Sequence, residues 1–150
     1  MRGLANSTAA LDAYLQFSSK LAAGVLSAKT REQIALTVGQ ENECDYCVAA
    51  HCTLGEMAGL NAQQIRDSRQ GTAGDPKTAA ILKFSRKLVK VRGLVSDADV
   101  DDVRRSGATD GEIAEVVANV ALNVFTNYFN HVAGTVIDFP RPDVLRAANG

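Results

Sequence analysis

Two thiols and an imidazole share the stretch Cys44-Asp45-Tyr46-Cys47-Val48-Ala49-Ala50-His51. On a helix, residues three and four apart lie on one face, so Cys44, Cys47 and His51 form a single stripe. The thiolate is the reactive form of cysteine, and a helix N-terminus or a nearby histidine stabilises it. The stretch therefore reads as a dithiol redox centre with its own base. Two other readings stand beside it. Free cysteine often packs as a small hydrophobe. The same three residues could also ligate zinc, although structural zinc usually takes four ligands from two separated pairs, and no second pair exists here. Cys52, the third cysteine, lies about 100° around the helix from His51 and suits a core or interface position better.

Two helices joined by a short turn would position these groups. Ser27 is a candidate N-cap for a helix over about 28–41, with Ile34, Leu36 and Val38 inside it. Asn42-Glu43 reads as a tight turn. The next helix begins near Cys44 or Asp45 and ends at Gly59. So short a connection makes the pair antiparallel. Glu32 and His51 are about equally far from the turn and should sit level across the hairpin. A carboxylate facing an imidazole fixes its orientation and raises its basicity. Glu32, His51, Cys47 and Cys44 then form a relay: acid orients base, and base activates nucleophile, with a second thiol beside it. On spacing alone, Glu32 is equally well a solvated first-turn carboxylate favoured by the helix dipole.

The remaining elements are also helical, and period-2 alternation is almost absent. Residues about 7–23 place Leu11, Leu15, Phe17, Leu21 and Ala22 on one side. Asn61 caps a short helix with Gln64 at the capping-box position. Asp75-Pro76 opens a helix to about Val91, proline standing at its first position. Ser96 begins another, to about Arg105. Thr109-Asp110-Gly111-Glu112 is a capping box for a long apolar helix to about His131. Its apolar arc, with Ile113, Val116, Val117, Val120, Leu122, Val124 and Phe125, is too wide for a surface helix and implies burial in a core or an oligomer interface. Asn127 and His131 read as satisfied polar contacts or interface groups, with a role in the pocket as the lesser alternative. The tail after Asp138, with Pro140 and Pro142, reads as extended.

These elements predict an all-α fold of about six to seven helices in one domain over 1–150, with a core from about 10 to 143. A chain of 150 residues buries roughly 70% of its unfolded surface without a disulfide staple. The net charge of −1 argues against nucleic acid or an acidic lipid surface as partner. No run approaches the ~18 apolar residues of a membrane span. Met1-Arg2-Gly3-Leu4-Ala5-Asn6 lacks the apolar core of a signal peptide. Three cysteines between 44 and 52 make a poor structural framework, so a cytoplasmic protein with a working thiol pair is expected.

Glu32, eleven residues, Cys44-x-x-Cys47, three residues and His51 together resemble the AhpD-like alkylhydroperoxidases of the carboxymuconolactone decarboxylase superfamily. Lys29-Thr30-Arg31-Glu32-Gln33-Ile34-Ala35-Leu36 is similar to that family's helix. Asn127-Tyr128-Phe129-Asn130-His131-Val132-Ala133-Gly134, followed by Asp138-Phe139-Pro140, resembles its peroxidase-related branch. The resemblance covers about residues 10–143. It implies a thiol-dependent peroxidase acting on hydrogen peroxide or organic hydroperoxides. Cys47 would be the peroxidatic cysteine, His51 its base, Glu32 the support of His51, and Cys44 the partner that closes a disulfide. It further implies no metal or prosthetic group, a dithiol reductant such as a lipoylated protein, and a homo-oligomer, trimer or hexamer. The best-known members carry a second histidine between the two cysteines, where this chain has Tyr46. A phenol with pKa about 10 is a poor base near pH 7. Two alternatives remain: a decarboxylase or lactone-processing member, against which the dithiol argues, and a non-enzymatic zinc-binding or redox-sensing module.

Overall fold

Six short polar side chains punctuate the chain. Ser7, Ser27, Asn61, Asp75, Ser96 and Thr109 each accept the backbone N–H three residues on, the hydrogen bond that opens a helix. In the computed structural model, which describes residues 3–143 and 145, these caps begin α1 (Thr8–Ala22), α2 (Ala28–Glu41), α4 (Ala62–Arg69), α5 (Pro76–Lys90), α6 (Asp97–Arg105) and α7 (Asp110–Ala133). A thiol caps the remaining helix, α3 (Asp45–Met57), whose N-cap is Cys44. Among the described residues there are seven α-helices, one 3-10 turn at Leu4–Asn6, and no strand. Met1, Arg2, Val144 and residues 146–150 lie outside the described residues. No helix among the described residues is long and apolar enough to cross a membrane.

The second helix is the hub. Seven consecutive residues, Gln33 to Gly39, are buried, because α3, α4, α5 and α7 all pack against it. Ile34 and Val38 join Ile81, Leu82, Phe84, Leu88, Val103, Val116 and Val120 in the main core. Leu36 faces the opposite way and meets Leu60, Ile65 and Cys52 in a smaller cluster. Burying a Leu or Ile side chain contributes about 1.5–3 kcal/mol, so a helix buried all round is anchored strongly. Its N-terminal approach is held by α7: the backbone N–H groups of Val25 and Leu26 donate to Glu115 at 2.8 and 3.0 Å. A side chain at Gly24 would collide with that carboxylate.

Two expected faces differ from the observed ones. In α1, Leu15 and Phe17 are 50% and 40% exposed, while Leu21 is buried. The covered face runs instead through Leu11, Tyr14, Ser18 and Leu21, a three-four-three spacing that α7 meets. In α7 the wide apolar arc does not all enter the core. Ile113, Val116 and Val120 do, but the helix then buries Asn119, Asn123 and Asn127. Val117, Phe125, Tyr128 and Val132 remain exposed.

The turn between α2 and α3 sets the hairpin's geometry. The Glu43 N–H bonds the Gln40 carbonyl at 3.2 Å, and the Cys44 N–H bonds the Gly39 carbonyl at 2.9 Å. This is the Schellman pattern, in which one residue turns left-handed. Here that residue is Glu43, with φ 54°. A left-handed non-glycine costs roughly 1–2 kcal/mol, and a glycine loses roughly 0.5–1 kcal/mol more backbone entropy on folding. Glu43→Gly should therefore stabilise the fold by about 0.5–1 kcal/mol, read from urea unfolding, whereas Glu43→Val should destabilise it. An unstable Glu43→Gly protein would show that the Glu43 side chain contributes more than its backbone costs.

Candidate active site

Cys44 holds two positions at once. Its N–H closes α2, and its Sγ accepts the N–H of Cys47 at 3.3 Å to open α3. This places Cys47 in the first turn of α3, where the helix's positive end favours a negative sulfur. The two sulfurs are bonded, with the Cα atoms 5.2 Å apart, inside the range a disulfide can span. Cys44 is 1% and Cys47 3% exposed. Gly39 of α2 faces Cys47: a methyl group there would lie 3.5 Å from the Cys47 Cβ, an ordinary van der Waals contact.

One turn beyond Cys47, His51 Nδ1 lies 2.7 Å from Glu32 Oε2. The hairpin brings the two residues level, as its short turn requires. Their side chains are 21% and 22% exposed, so this pair is open to solvent where the sulfurs are not. The ring orientation leaves Nε2 as the free nitrogen, with Nδ1 committed to the carboxylate. Tyr14 of α1 lies within range of the Glu32 charge. Its phenol pKa is pushed up, chiefly by burial, while Ser18 opposes the shift and the Glu32 charge adds to it. Its ring lies 6.5 Å from that of Phe125 in α7.

Tyr46, between the cysteines, leans outward onto the segment after α7. Its ring meets Phe139 edge-on at 5.7 Å. Burial, then the neighbouring Asp138 carboxylate, raises its phenol pKa. Tyr46 therefore stays protonated near neutral pH and cannot serve as a base there. Cys52 stands apart, packed against Leu36, Leu60 and Ile65. Burial raises its thiol pKa, Arg69 opposing and Glu56 adding to that effect. It is the free cysteine of the chain.

From α7, sequence reasoning singled out Asn127 and His131 but gave Asn130 no contact with the thiols. Asn130 Nδ2 donates to Cys47 Sγ at 3.3 Å, and Thr135 Oγ1 donates to Asn130 Oδ1 at 2.9 Å. Asn127, wholly buried, is only half satisfied. Its Oδ1 accepts from Asn42 Nδ2 at 2.9 Å, and its Nδ2 has no partner among the described residues. His131 is exposed and forms none of these contacts. A chain separation of 83 residues divides Asn130 from Cys47, so no local spacing could signal their contact.

The carboxymuconolactone decarboxylase family profile matches residues 8–87, a span containing α1 to α4, most of α5, and every residue of the Glu32–His51 motif. The chain belongs to the carboxymuconolactone decarboxylase family. No curated protein matches it in sequence. Solved structures share its fold, which is AhpD-like. A peroxidase-related protein from Silicibacter sp. TM1040 is 21% identical, with TM-score 0.78 over 87% of this chain and 71% of that one. An AhpD-core, peroxidase-related protein from Ralstonia eutropha JMP134 is 24% identical, with TM-score 0.79 over 94% and 75%. The debrominase Bmp8 is 15% identical, with TM-score 0.80 over 90% and 74%.

Proposed function

We propose that the protein is a thiol-dependent peroxidase acting on hydrogen peroxide or organic hydroperoxides. The observation that carries this reading is the 2.7 Å Glu32–His51 contact, one helical turn from a bonded Cys44–Cys47 pair. The peroxidase-related fold neighbours agree with it. The fold alone does not choose the reaction, since a debrominase shares it. The choice rests on the site.

In the reduced protein, His51 takes the proton of the Cys47 thiol, and Glu32 holds the resulting imidazolium. The thiolate attacks one peroxide oxygen. An S–O bond forms, the O–O bond breaks, and the departing alkoxide or hydroxide takes the proton back. Cys47 is then a sulfenic acid, oxidised by two electrons. The Cys44 sulfur attacks it, an S–S bond replaces the S–O bond, and hydroxide leaves as water. The bonded pair seen here corresponds to the end of that sequence. An external dithiol, such as the lipoyl arm of a carrier protein, returns two electrons and two protons by disulfide exchange. Sulfurs this deeply covered favour a small peroxide and a slender reductant. The cycle suits a reducing compartment such as the cytoplasm.

Cys44 accepts a backbone N–H at the head of α3, so either thiol has some claim to be the nucleophile; the neighbouring base favours Cys47. After one equivalent of peroxide, Cys44→Ser should accumulate a sulfenic acid on Cys47, detected by sulfenate trapping and peptide mapping. Label only on Cys44, in the Cys47→Ser protein, would reverse the roles. A wild-type protein whose thiols do not react with peroxide would sink the peroxidase reading.

Glu32→Gln and His51→Ala should each slow peroxide consumption about 10² or more, the range for losing a positioned acid–base group. Because the two act as one unit, the double variant should be little worse than the poorer single one. Multiplied losses would show that they act separately.

We also propose that the exposed apolar side of α7, with Val117, Phe125, Tyr128 and Val132, joins copies of the chain into a homo-oligomer, a trimer or a hexamer. Exposed apolar clusters of this kind mark association surfaces. Sedimentation should show a multiple of the 15.9 kDa chain mass, and Tyr128→Lys should reduce it. A wild type that is monomeric at micromolar concentration would refute the assembly.

A further inference from the structure

We infer that Asn130 is a catalytic residue for the Cys47 thiol: its side-chain amide donates to Cys47 Sγ and holds that sulfur as a thiolate. The inference rests on the reading that Cys47 is the attacking thiol.

The geometry has two parts. Asn130 Nδ2 lies 3.3 Å from Cys47 Sγ, and Asn130 Oδ1 accepts the Thr135 hydroxyl at 2.9 Å. Thr135 lies just past the end of α7, beyond the left-handed Gly134. Its N–H bonds the Asn130 carbonyl at 3.1 Å, which folds the segment back over Asn130. The hydroxyl is therefore anchored, and it occupies the oxygen end of the amide. The NH2 end is left facing the sulfur. A disulfide sulfur and a thiolate can only accept hydrogen bonds, so the NH2 end is the one that can serve either form.

The chemical consequence follows from which form gains more. A neutral thiol is a weak acceptor, whereas an ionised one makes a charge-assisted hydrogen bond about twice as strong. A donor that binds the charged form better lowers the thiol pKa. Cys47 is almost fully buried, and burial works in the opposite sense, favouring the neutral thiol. The N-terminus of α3 offsets part of that penalty, and Asn130 supplies a directed donor from a second element. The titratable and charged groups of the elements packed around Cys47 are Lys29, Arg31, Glu32 and Glu41 from α2, Glu43 from the turn, Asp45, Tyr46, His51, Cys52 and Glu56 from α3, Arg66, Asp67 and the mostly buried Arg69 from α4, and Asp138 from the segment after α7. The α7 side contributes the neutral amides of Asn127 and Asn130, with His131 exposed. A neutral donor stabilises the thiolate at any pH, unlike His51, whose help depends on its own proton.

The test uses the full chain carrying Cys44→Ser and Cys52→Ser, which leaves Cys47 as the sole thiol. Its titration is followed by thiolate ultraviolet absorbance. Asn130→Ala in this background should raise the Cys47 thiol pKa by about 1, a tenfold loss of thiolate at a pH well below it. Thr135→Val leaves the donor in place but frees it, and should raise the pKa by a smaller amount. An unchanged pKa in a folded Asn130→Ala protein overturns the inference. Should that variant fail to fold, an unchanged pKa in Thr135→Val overturns it instead. A purely structural role for Asn130 would lower the unfolding midpoint without moving the titration, and that outcome also counts against it. Wild-type peroxide consumption is measured alongside. An Asn130-dependent pKa without turnover would sink the peroxidase reading, and the catalytic role with it, and leave only the Asn130–thiolate hydrogen bond standing; turnover with an invariant pKa would overturn the inference alone.

Discussion

The hydrogen bond from the Cys44 N–H to the Gly39 carbonyl ends one helix at the residue that begins the next. Because Cys44 is both the last residue of the α2 capping motif and the N-cap of α3, no slack separates the helices. Their relative height is then set, and with it the meeting of Glu32 and His51 across the hairpin. An extra residue in the turn would rotate α3 by about 100° and carry His51 off the facing side. Glu43 adopts a costly backbone conformation to allow this. Gly39 lies opposite Cys47 where α3 packs on α2.

Burial of α2 on all sides makes that arrangement rigid. Its two apolar clusters face opposite ways, so the helix cannot roll without exposing one of them. Few routes for motion then remain at the Glu32 end of the hairpin. The carboxylate and imidazole keep partial access to solvent, while the sulfurs beneath them have almost none. A site of this kind combines an accessible base with a protected thiol. Such covering disfavours a thiolate, and hydrogen-bond donors in the walls oppose that effect.

Those donors come from α7, a helix that is apolar where it meets the main core and amide-rich where it meets the dithiol. Asn119 and Asn123 satisfy themselves on carbonyls four residues back. Asn127 and Asn130 instead reach across, to Asn42 and to Cys47. Buried amides are costly unless paired, and pairing them across helices ties the register of α7 to that of the hairpin. The outward face of the same helix stays apolar and exposed, so α7 meets the site on one side and solvent on the other.

Local chemistry was legible in the sequence wherever the signal and its effect lie within a few residues. The caps at Ser27, Asn61, Asp75, Ser96 and Thr109 act on N–H groups three positions away. The stripe of Cys44, Cys47 and His51 follows from helix periodicity alone. The level placement of Glu32 and His51 needed only a short turn. What the sequence could not determine is which of several plausible faces each helix buries. In α1, apolar residues occur on more than one side, and contact with α7 selects Leu21 and Tyr14 over Leu15 and Phe17. In α7, nothing in the sequence separates Asn119 and Asn123, which bond their own helix, from Asn127 and Asn130, which the hairpin pairs. The contact between Asn130 and Cys47 spans 83 residues, and only tertiary packing decides it, because no backbone periodicity carries information over such a distance.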